Sequence, residues 1–258
     1  MNKISQSPKK VTPKVLRIWL WMKIWIHIFC GVCTLSFLFP FYDRQKKSEK
    51  IQAWSKYLLE IFQLDLQVHG ADLLHENRYL LASNHISWID IHVINAFIPI
   101  RFVAKSEMAH WPIFGWMARQ LGTIFIRRES PSDARRVVAE MARVLQSESI
   151  CIFPEGTSTN GGLVLPFKHS LFESAVVSKV AIYPLAIQYV SKTTGLRSEI
   201  PAFVGDMGLL GSISSMLKSR DLQARITLLE PLSMSLETTP DRKQLAVYCH
   251  DAIARAII

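Results

Sequence analysis

Two residues that could together move a proton, His85 and Asp90, follow an apolar run at residues 80–82. Ser87 is a good helix N-cap, and Asp90 stands three residues after it, which is the spacing of a capping box with Asp in place of Glu. His85 would then precede the helix and Asp90 would lie in its first turn, so the bend can bring the carboxylate to the imidazole. A carboxylate on one ring nitrogen fixes the tautomer and leaves the other nitrogen free to take a proton from a hydroxyl. The spacing therefore predicts a general base, His85, oriented by Asp90.

The elements that must position this pair are a strand before it and a helix after it. The apolar run reads as a buried strand, and the polar residues begin where a strand would hand over to a helix. That junction is where α/β sheets usually place their ligands. On these residues alone, a plain helix cap at Asp90 beside an ordinary loop histidine explains the pair equally well, because helix caps are common.

Three more blocks of sequence follow the first and decide between these two interpretations. The four blocks are, in chain order, residues 84–90 (NHISWID), 122–127 (GTIFIR), 153–158 (FPEGTS) and 183–187 (YPLAI). Together they resemble the ordered motifs of the glycerolipid acyltransferases, the family of the bacterial lysophosphatidic acid acyltransferases. The resemblance implies transfer of a fatty acyl group from a thioester, acyl-CoA or acyl carrier protein, to a free hydroxyl of a lysolipid. Because the thioester already carries the activation, neither a metal nor a bound cofactor is implied.

The substrate-binding residues are expected at the ends of the later strands. Arg127 ends the second block, and its planar guanidinium can donate two parallel hydrogen bonds to a headgroup phosphate. Gly156 and Thr157 belong to a tight turn after the strand at 150–153, where backbone amides could meet a phosphate. Glu155 is the odd member of this turn, because a carboxylate repels phosphate. Glu155 is expected either to accept a hydrogen bond from the hydroxyl of the lysolipid or to fix an arginine such as Arg127.

Two lysines complete the predicted site. Lys105 ends a short strand where an anion could bind, although a solvated surface lysine explains it as well. Lys168 matches a lysine that is common in the family, whereas Ser170 stands where the family often has glycine. That departure leaves the headgroup preference open.

The remaining elements indicate an α/β domain. Predicted strands cover residues 64–68, 100–103, 122–128, 150–153, 180–189 and 222–229, and predicted helices cover 48–62, 89–97, 107–121, 132–146 and 241–257. Strands that alternate with helices favour a largely parallel sheet with helices on both faces. Pro184 predicts that its strand is bulged or lies near a sheet edge.

The positive charge is concentrated at the N-terminus. Residues 1–50 hold ten Lys or Arg against two acidic residues, so they carry +8 of the net charge of +9. These cations flank an apolar, aromatic-rich stretch at 15–42, a combination that points to an anionic membrane surface. Nucleic acid is the other partner of basic segments, but the sequence contains no motif for it.

The chain is predicted to divide into a disordered basic tail at 1–14, a membrane-associating helical segment at 15–62 and the α/β acyltransferase domain at 63–258. No small-residue cleavage site follows the apolar run, so the segment is expected to stay attached. Residues 24–41 lie at the lower edge of the length that spans a bilayer. Two short helices broken near Gly31, which dip into one leaflet and return, are favoured over a single span. The family's N-terminal two-helix element points the same way.

That arrangement keeps both basic flanks and the active site on the cytoplasmic face of what is expected to be a bacterial inner membrane. Cys30 and Cys33 have CxxC spacing within the apolar stretch, and packing explains them better than a metal or redox site.

The expected reaction is direct attack of a lysolipid hydroxyl on the thioester carbonyl, with His85 as the base. No Gly-x-Ser-x-Gly elbow occurs in the sequence, which argues against a lipase or esterase. The first expected acceptor is 1-acyl-glycerol 3-phosphate, which gives phosphatidic acid. The alternative acceptors are a lyso-aminolipid such as lyso-ornithine lipid, or glycerol 3-phosphate. A noncatalytic membrane adaptor that keeps the fold is the alternative of another class.

Overall fold

Seven strands form one sheet in the computed structural model, which describes residues 11–126, 131–232 and 240–257. The strands are β1 (Leu64–His69), β2 (Tyr79–Ser83), β3 (Arg101–Lys105), β4 (Ile124–Ile126), β5 (Ile150–Ile152), β6 (Ala181–Val190) and β7 (Leu222–Leu228). They stand in the order β1-β7-β6-β2-β5-β3-β4, and among these strands only β6 and β7 pair antiparallel. The largely parallel sheet that the sequence predicts is confirmed.

Helices cover both faces of this sheet. Within the described ranges the α-helices are α1 (Lys14–Cys33), α2 (Arg44–Phe62), α3 (Asp90–Phe97), α4 (Phe114–Gln120), α5 (Pro131–Leu145), α6 (Glu173–Ser178), α7 (Leu209–Leu217) and α8 (Arg242–Ala256). One core contains Ile24 of α1, Phe62 of α2 and Tyr183 of the sheet, together with residues of α3 and α7. The other core contains Cys249 of α8 and Ile152 of the sheet, together with residues of α5 and α6. The N-terminal helices therefore belong to the same core as the domain.

Strand β6 lies in the interior of the sheet, between β7 and β2, so of the two alternatives predicted from Pro184 the edge position is wrong, whereas a one-residue irregularity in the pairing agrees with a bulge. The antiparallel ladder to β7 begins at Leu185, and the chain beyond β7 then pairs at Ile182 with a shift of one residue. The Pro184 carbonyl accepts from the Leu229 amide at this irregular place. Proline is tolerated in an internal strand here because its nitrogen, which carries no hydrogen, faces the side where the ladder is interrupted.

The apolar N-terminal segment is one continuous helical run, not two helices broken near Gly31. Regular α1 is followed by a π-helical turn (Thr34–Leu38) and a 3₁₀ turn (Phe39–Phe41) before α2 begins. Gly31 serves close approach instead, because a Cβ there would lie 2.9 Å from Trp54 Nε1 of α2. Within the run Lys14–Phe41 an 18-residue window reaches a mean hydropathy of 1.9, and by length and composition the run could cross a membrane.

The long helix predicted at 107–121 is also interrupted. The chain forms a 3₁₀ turn (Ser106–His110) and then the short α4. Pro112 explains the break, because the residue before a proline is disfavoured in the helical region. Trp111 is accordingly extended, and Ile113 adopts a left-handed φ of 64°.

Candidate active site

The predicted catalytic loop leaves β2 at the centre of the sheet. Pairing of β2 with β6 ends at Ser83 opposite Leu185, and the Asn84 side chain continues it. The Asn84 carboxamide donates to the carbonyl of Ile187 at 3.0 Å and accepts from the amide of the same residue at 2.7 Å. A side chain therefore replaces one step of the strand ladder and holds the start of the loop on β6.

The structure brings His85 and Asp90 together as the spacing predicts. His85 Nδ1 lies 2.8 Å from Asp90 Oδ2, and Asp90 is fully buried. Because Nδ1 faces a carboxylate, the neutral ring carries its proton on Nδ1, and Nε2 is left as an acceptor. No group in the described parts of the chain hydrogen-bonds Nε2. The ring stacks on Phe153 with centroids 4.1 Å apart, and the His85 side chain is 22% exposed.

The helix start differs from the predicted capping box. Helix α3 begins at Asp90 with Ile89 as its N-cap, two residues after the predicted N-cap Ser87. Asp90 Oδ2 does reach back to the Ser87 amide at 2.9 Å, which is one half of a capping box. The other half is missing, since the Ser87 hydroxyl makes only a 3.5 Å contact with the Ile89 amide. The carboxylate therefore organises the loop itself and also accepts from the Ile86 amide at 2.7 Å.

Tyr189 is a site residue that the sequence analysis missed. Its hydroxyl donates to Asp90 Oδ1 at 2.6 Å, and burial followed by the Asp90 charge raises its pKa well above the usual value of 10. The two residues are 99 positions apart, and Tyr189 belongs to an apolar strand pattern that packing alone explains. No local signal in the sequence marks this contact.

Glu155 lies against the same loop and contacts backbone. Its two oxygens accept from the amides of His85 at 2.7 Å and Leu165 at 2.8 Å. Burial raises the pKa of Glu155, and the two backbone hydrogen bonds oppose that shift. Both Glu155 oxygens therefore bind backbone amides. This is a third possibility beside the acceptor hydroxyl and the arginine that the sequence predicts.

The remaining predicted residues lie around this centre. Gly156 adopts a left-handed φ of 73° in the turn, and Thr157 beside it is exposed. The Lys168 amide donates to Pro154 at 2.9 Å, which places this exposed lysine beside the turn. Lys105 is exposed at the end of β3, which β5 separates from β2. Arg127 lies outside the described residues, so the predicted headgroup arginine has no structural description.

Two cavities, of about 320 and 610 Å³, lie elsewhere. The first lies between α1 and α2, and the second lies at the amino ends of β2 and β3. No predicted site residue lines either one, and the His85–Asp90 pair lies instead after the carboxyl end of the interior strand β2. Within the described ranges, no group of three His, Cys, Asp or Glu side chains is placed to hold a metal ion.

Comparison with known proteins agrees with the sequence motifs. The family model described as Acyltransferase matches residues 65–188. A lyso-ornithine lipid O-acyltransferase of Pseudomonas aeruginosa is 37% identical over 69% of this chain and 67% of its own length. A 1-acyl-sn-glycerol-3-phosphate acyltransferase of Neisseria gonorrhoeae is 34% identical over 67% of this chain and 69% of its own length.

The fold has a solved counterpart. The crystal structure of the 1-acyl-sn-glycerophosphate (LPA) acyltransferase PlsC from Thermotoga maritima superimposes with a TM-score of 0.69. The match covers 94% of this chain and 93% of the other at 21% sequence identity. At that identity the comparison supports the architecture, including the N-terminal helices.

Proposed function

This chain belongs to the acyltransferase family, and from that premise we propose that it moves a fatty acyl group from a thioester to the hydroxyl of a lysolipid. The observation that carries the proposal is the 2.8 Å contact between His85 Nδ1 and Asp90 Oδ2, which leaves Nε2 available. Histidine held in this way is suited to general base catalysis near neutral pH.

The proposed step is a direct transfer. His85 Nε2 takes the hydroxyl proton while the oxygen attacks the thioester carbonyl, and the buried Asp90 carboxylate stabilises the imidazolium that forms. When the tetrahedral intermediate collapses, the carbon–sulfur bond breaks and the proton passes from His85 to the departing thiolate. No protein nucleophile is needed. Ser87 is fully buried, which argues against its use as one.

The proposed acceptor is 1-acyl-glycerol 3-phosphate, with phosphatidic acid as the product. Lys105 and Lys168, both exposed at this edge of the sheet, are the described cations proposed to meet its phosphate, together with Arg127. A lyso-ornithine lipid is the second candidate, because the P. aeruginosa relative carries that name at a similar identity. Acyl-CoA and acyl carrier protein are both proposed as donors.

Membrane attachment through α1 is part of the proposal. One face of α1 is buried in the domain core through Leu20, Ile24 and Ile28, while large apolar side chains on its other faces are exposed. A helix packed along the domain in this way is suited to lie in one leaflet, because a full span would carry the domain's core into the bilayer. We therefore favour a half-submerged anchor on an anionic, cytoplasmic membrane face.

An acceptor panel tests the function. Purified protein in detergent micelles is assayed with acyl-CoA and acyl carrier protein donors against 1-acyl-glycerol 3-phosphate, lyso-ornithine lipid and glycerol 3-phosphate. We expect the His85→Ala variant to lose about 10²–10⁴-fold in turnover, the usual contribution of a general base. The exposed His69→Ala variant is the matched control and should keep wild-type turnover. If His85→Ala kept wild-type turnover, His85 would not be the general base. If the wild type acylated no acceptor on the panel, the noncatalytic membrane adaptor would be favoured.

A further inference from the structure

The hydrogen bond between Tyr189 and Asp90 has a role beyond packing. We infer that Tyr189 is a positioning residue, which sets the orientation of the Asp90 carboxylate and, through it, the basicity of His85. This inference rests on the proposed acyl transfer, in which His85 must be neutral to accept a proton.

The two oxygens of Asp90 have unequal surroundings. Oδ2 accepts from His85 Nδ1 and from the amides of Ile86 and Ser87, whereas Oδ1 accepts from the Tyr189 hydroxyl. The first three donors all belong to the loop that Asp90 itself organises, so they move with it. Tyr189 is the donor that comes from another element, and it fixes the carboxylate relative to the sheet.

Tyr189 lies on strand β6, which is well suited to fix the position of the Asp90 carboxylate. Strand β6 is paired on both sides, by β7 and β2, and Tyr189 is 1% exposed. Two residues earlier on the same strand, Ile187 exchanges two hydrogen bonds with Asn84. Strand β6 therefore holds the loop at Asn84 and at Asp90, on either side of His85 in the sequence.

The hydroxyl also acts on the charge of the pair. A donor on Oδ1 draws negative charge away from the carboxylate and so weakens its stabilisation of a protonated His85. Because the pKa of Tyr189 lies well above its usual value, the hydroxyl stays protonated and donates throughout the pH range in which the reaction runs. Tyr189 thereby limits how strongly Asp90 favours the protonated ring, and Glu155, which accepts from the His85 amide, is the other carboxylate that faces this histidine.

The Tyr189→Phe variant tests this inference through its pH profile. We expect the acidic limb of kcat/KM for the lysolipid to move up by about 0.5–1 pH unit, because proton uptake by the His85–Asp90 pair becomes easier. We also expect kcat/KM at its maximum to fall about tenfold, the loss expected when a hydrogen bond to a charged group is removed.

Tyr183→Phe is the matched control. Tyr183 lies on the same strand and the same face, is likewise 1% exposed, and its hydroxyl accepts from the His75 amide away from the catalytic loop. The control should lose stability through its own missing hydroxyl and leave the acidic limb where the wild type has it. A Tyr189→Phe variant that folds and shows the wild-type limb would overturn the inference, since Tyr189 would then only pack.

A second measurement tests the inference if Tyr189→Phe folds poorly. Incorporation of 3-fluorotyrosine at position 189 keeps the hydroxyl and makes it a stronger donor, so the acidic limb should move to lower pH. An unchanged limb, or a shift to higher pH, would contradict the inference. These outcomes are separate from the fate of the proposed function, which depends on His85→Ala in the same assay.

Discussion

In the loop at residues 84–90 the side chains of Asn84 and Asp90 are hydrogen-bonded inside the protein and His85 Nε2 is left available, whereas in α1 large apolar side chains remain exposed. Asp90 is fully buried and accepts four hydrogen bonds, and Asn84 replaces a step of the strand ladder. The exposed apolar residues of α1 are Val15, Ile18, Trp19, Met22, Trp25, Ile26 and Phe29.

The loop and α1 are therefore suited to function in different ways. A loop whose supporting hydrogen bonds are in place before substrate arrives is preorganised, so the proposed base His85 would need little reorganisation as charge develops on it. A helix that exposes this much apolar surface suits an apolar environment next to the protein, because patches of this kind usually mark interaction sites. Substitutions in the loop should therefore change turnover, and substitutions on the outer face of α1 should change where the protein resides.

Among the substitutions that test this comparison, and beside His85→Ala, the largest expected effect is that of Asp90→Asn. The amide oxygen can take the place of Oδ2 and keep its three donors, while the amide nitrogen donates to Tyr189, whose hydroxyl can rotate. The fold should thus survive, but a neutral amide cannot stabilise the imidazolium, and kcat should fall about 10²–10⁴-fold. Steady-state kinetics together with thermal unfolding checks this prediction.

The control for that substitution is Asp90→Ala. It leaves the Ile86 and Ser87 amides and the Tyr189 hydroxyl without their acceptor, at about 1–3 kcal/mol for each buried donor. The Ala variant should therefore unfold at a clearly lower temperature than the Asn variant. Equal stability of the two would mean that the loop does not depend on its carboxylate, contrary to the preorganisation argued above.

A smaller loss is expected for Glu155→Gln. One side-chain oxygen can still accept from the His85 amide, but an amide nitrogen would then face the Leu165 N–H as a second donor. The loop should loosen, so that kcat falls about tenfold for one lost hydrogen bond to a charged group while KM for the acceptor changes little. A raised KM at unchanged kcat would instead support the substrate contact that the sequence predicts.

The same variant gives a pH test with a defined sign. Burial raises the pKa of Glu155 in the folded protein, so the folded state holds this proton more tightly than the unfolded chain. The stability contributed by the proton is fully present below the unfolded pKa, about 4.3, and is lost as pH rises through the raised folded value. The free energy of unfolding of the wild type relative to Glu155→Gln should therefore fall across that window in denaturant titrations. The exposed Glu140→Gln serves as the control.

The elements around the loop could be predicted because their signals are local. Apolar periodicity identified α2 and α8, and a short apolar run identified β2. Pro112, which interrupts a predicted helix, was also visible, but the surrounding aromatic residues outweighed it. The interior place of Pro184 and the bond from Tyr189 to Asp90 could not be predicted, because each depends on strands that are distant in the sequence. The sequence pattern thus indicated the His85–Asp90 pair, while only the fold identified what holds it.

The smallest effect on turnover is expected for substitutions of two isoleucines of α1. These substitutions test α1, the second of the two regions compared above. Ile24 is 2% exposed in the core and Ile26 is 61% exposed. Ile24→Ala should destabilise the protein by about 2–5 kcal/mol through the cavity it leaves. Ile26→Ala should change stability by no more than about 0.5 kcal/mol, as is usual for a surface substitution.

Binding to anionic vesicles should show the reverse order. The side chain of Ile26 is proposed to enter the leaflet, so Ile26→Ala should weaken vesicle partitioning by about 1–2 kcal/mol, the transfer free energy of the methyl and methylene groups removed. Ile24 faces the domain, so Ile24→Ala should bind vesicles as the wild type does at a temperature where it is folded. A half-submerged helix makes this binding reversible, and co-sedimentation over a range of lipid concentrations measures it. If Ile26→Ala leaves partitioning unchanged, α1 either crosses the bilayer or does not touch it, and recovery of the wild type in the soluble fraction without lipid distinguishes these two cases.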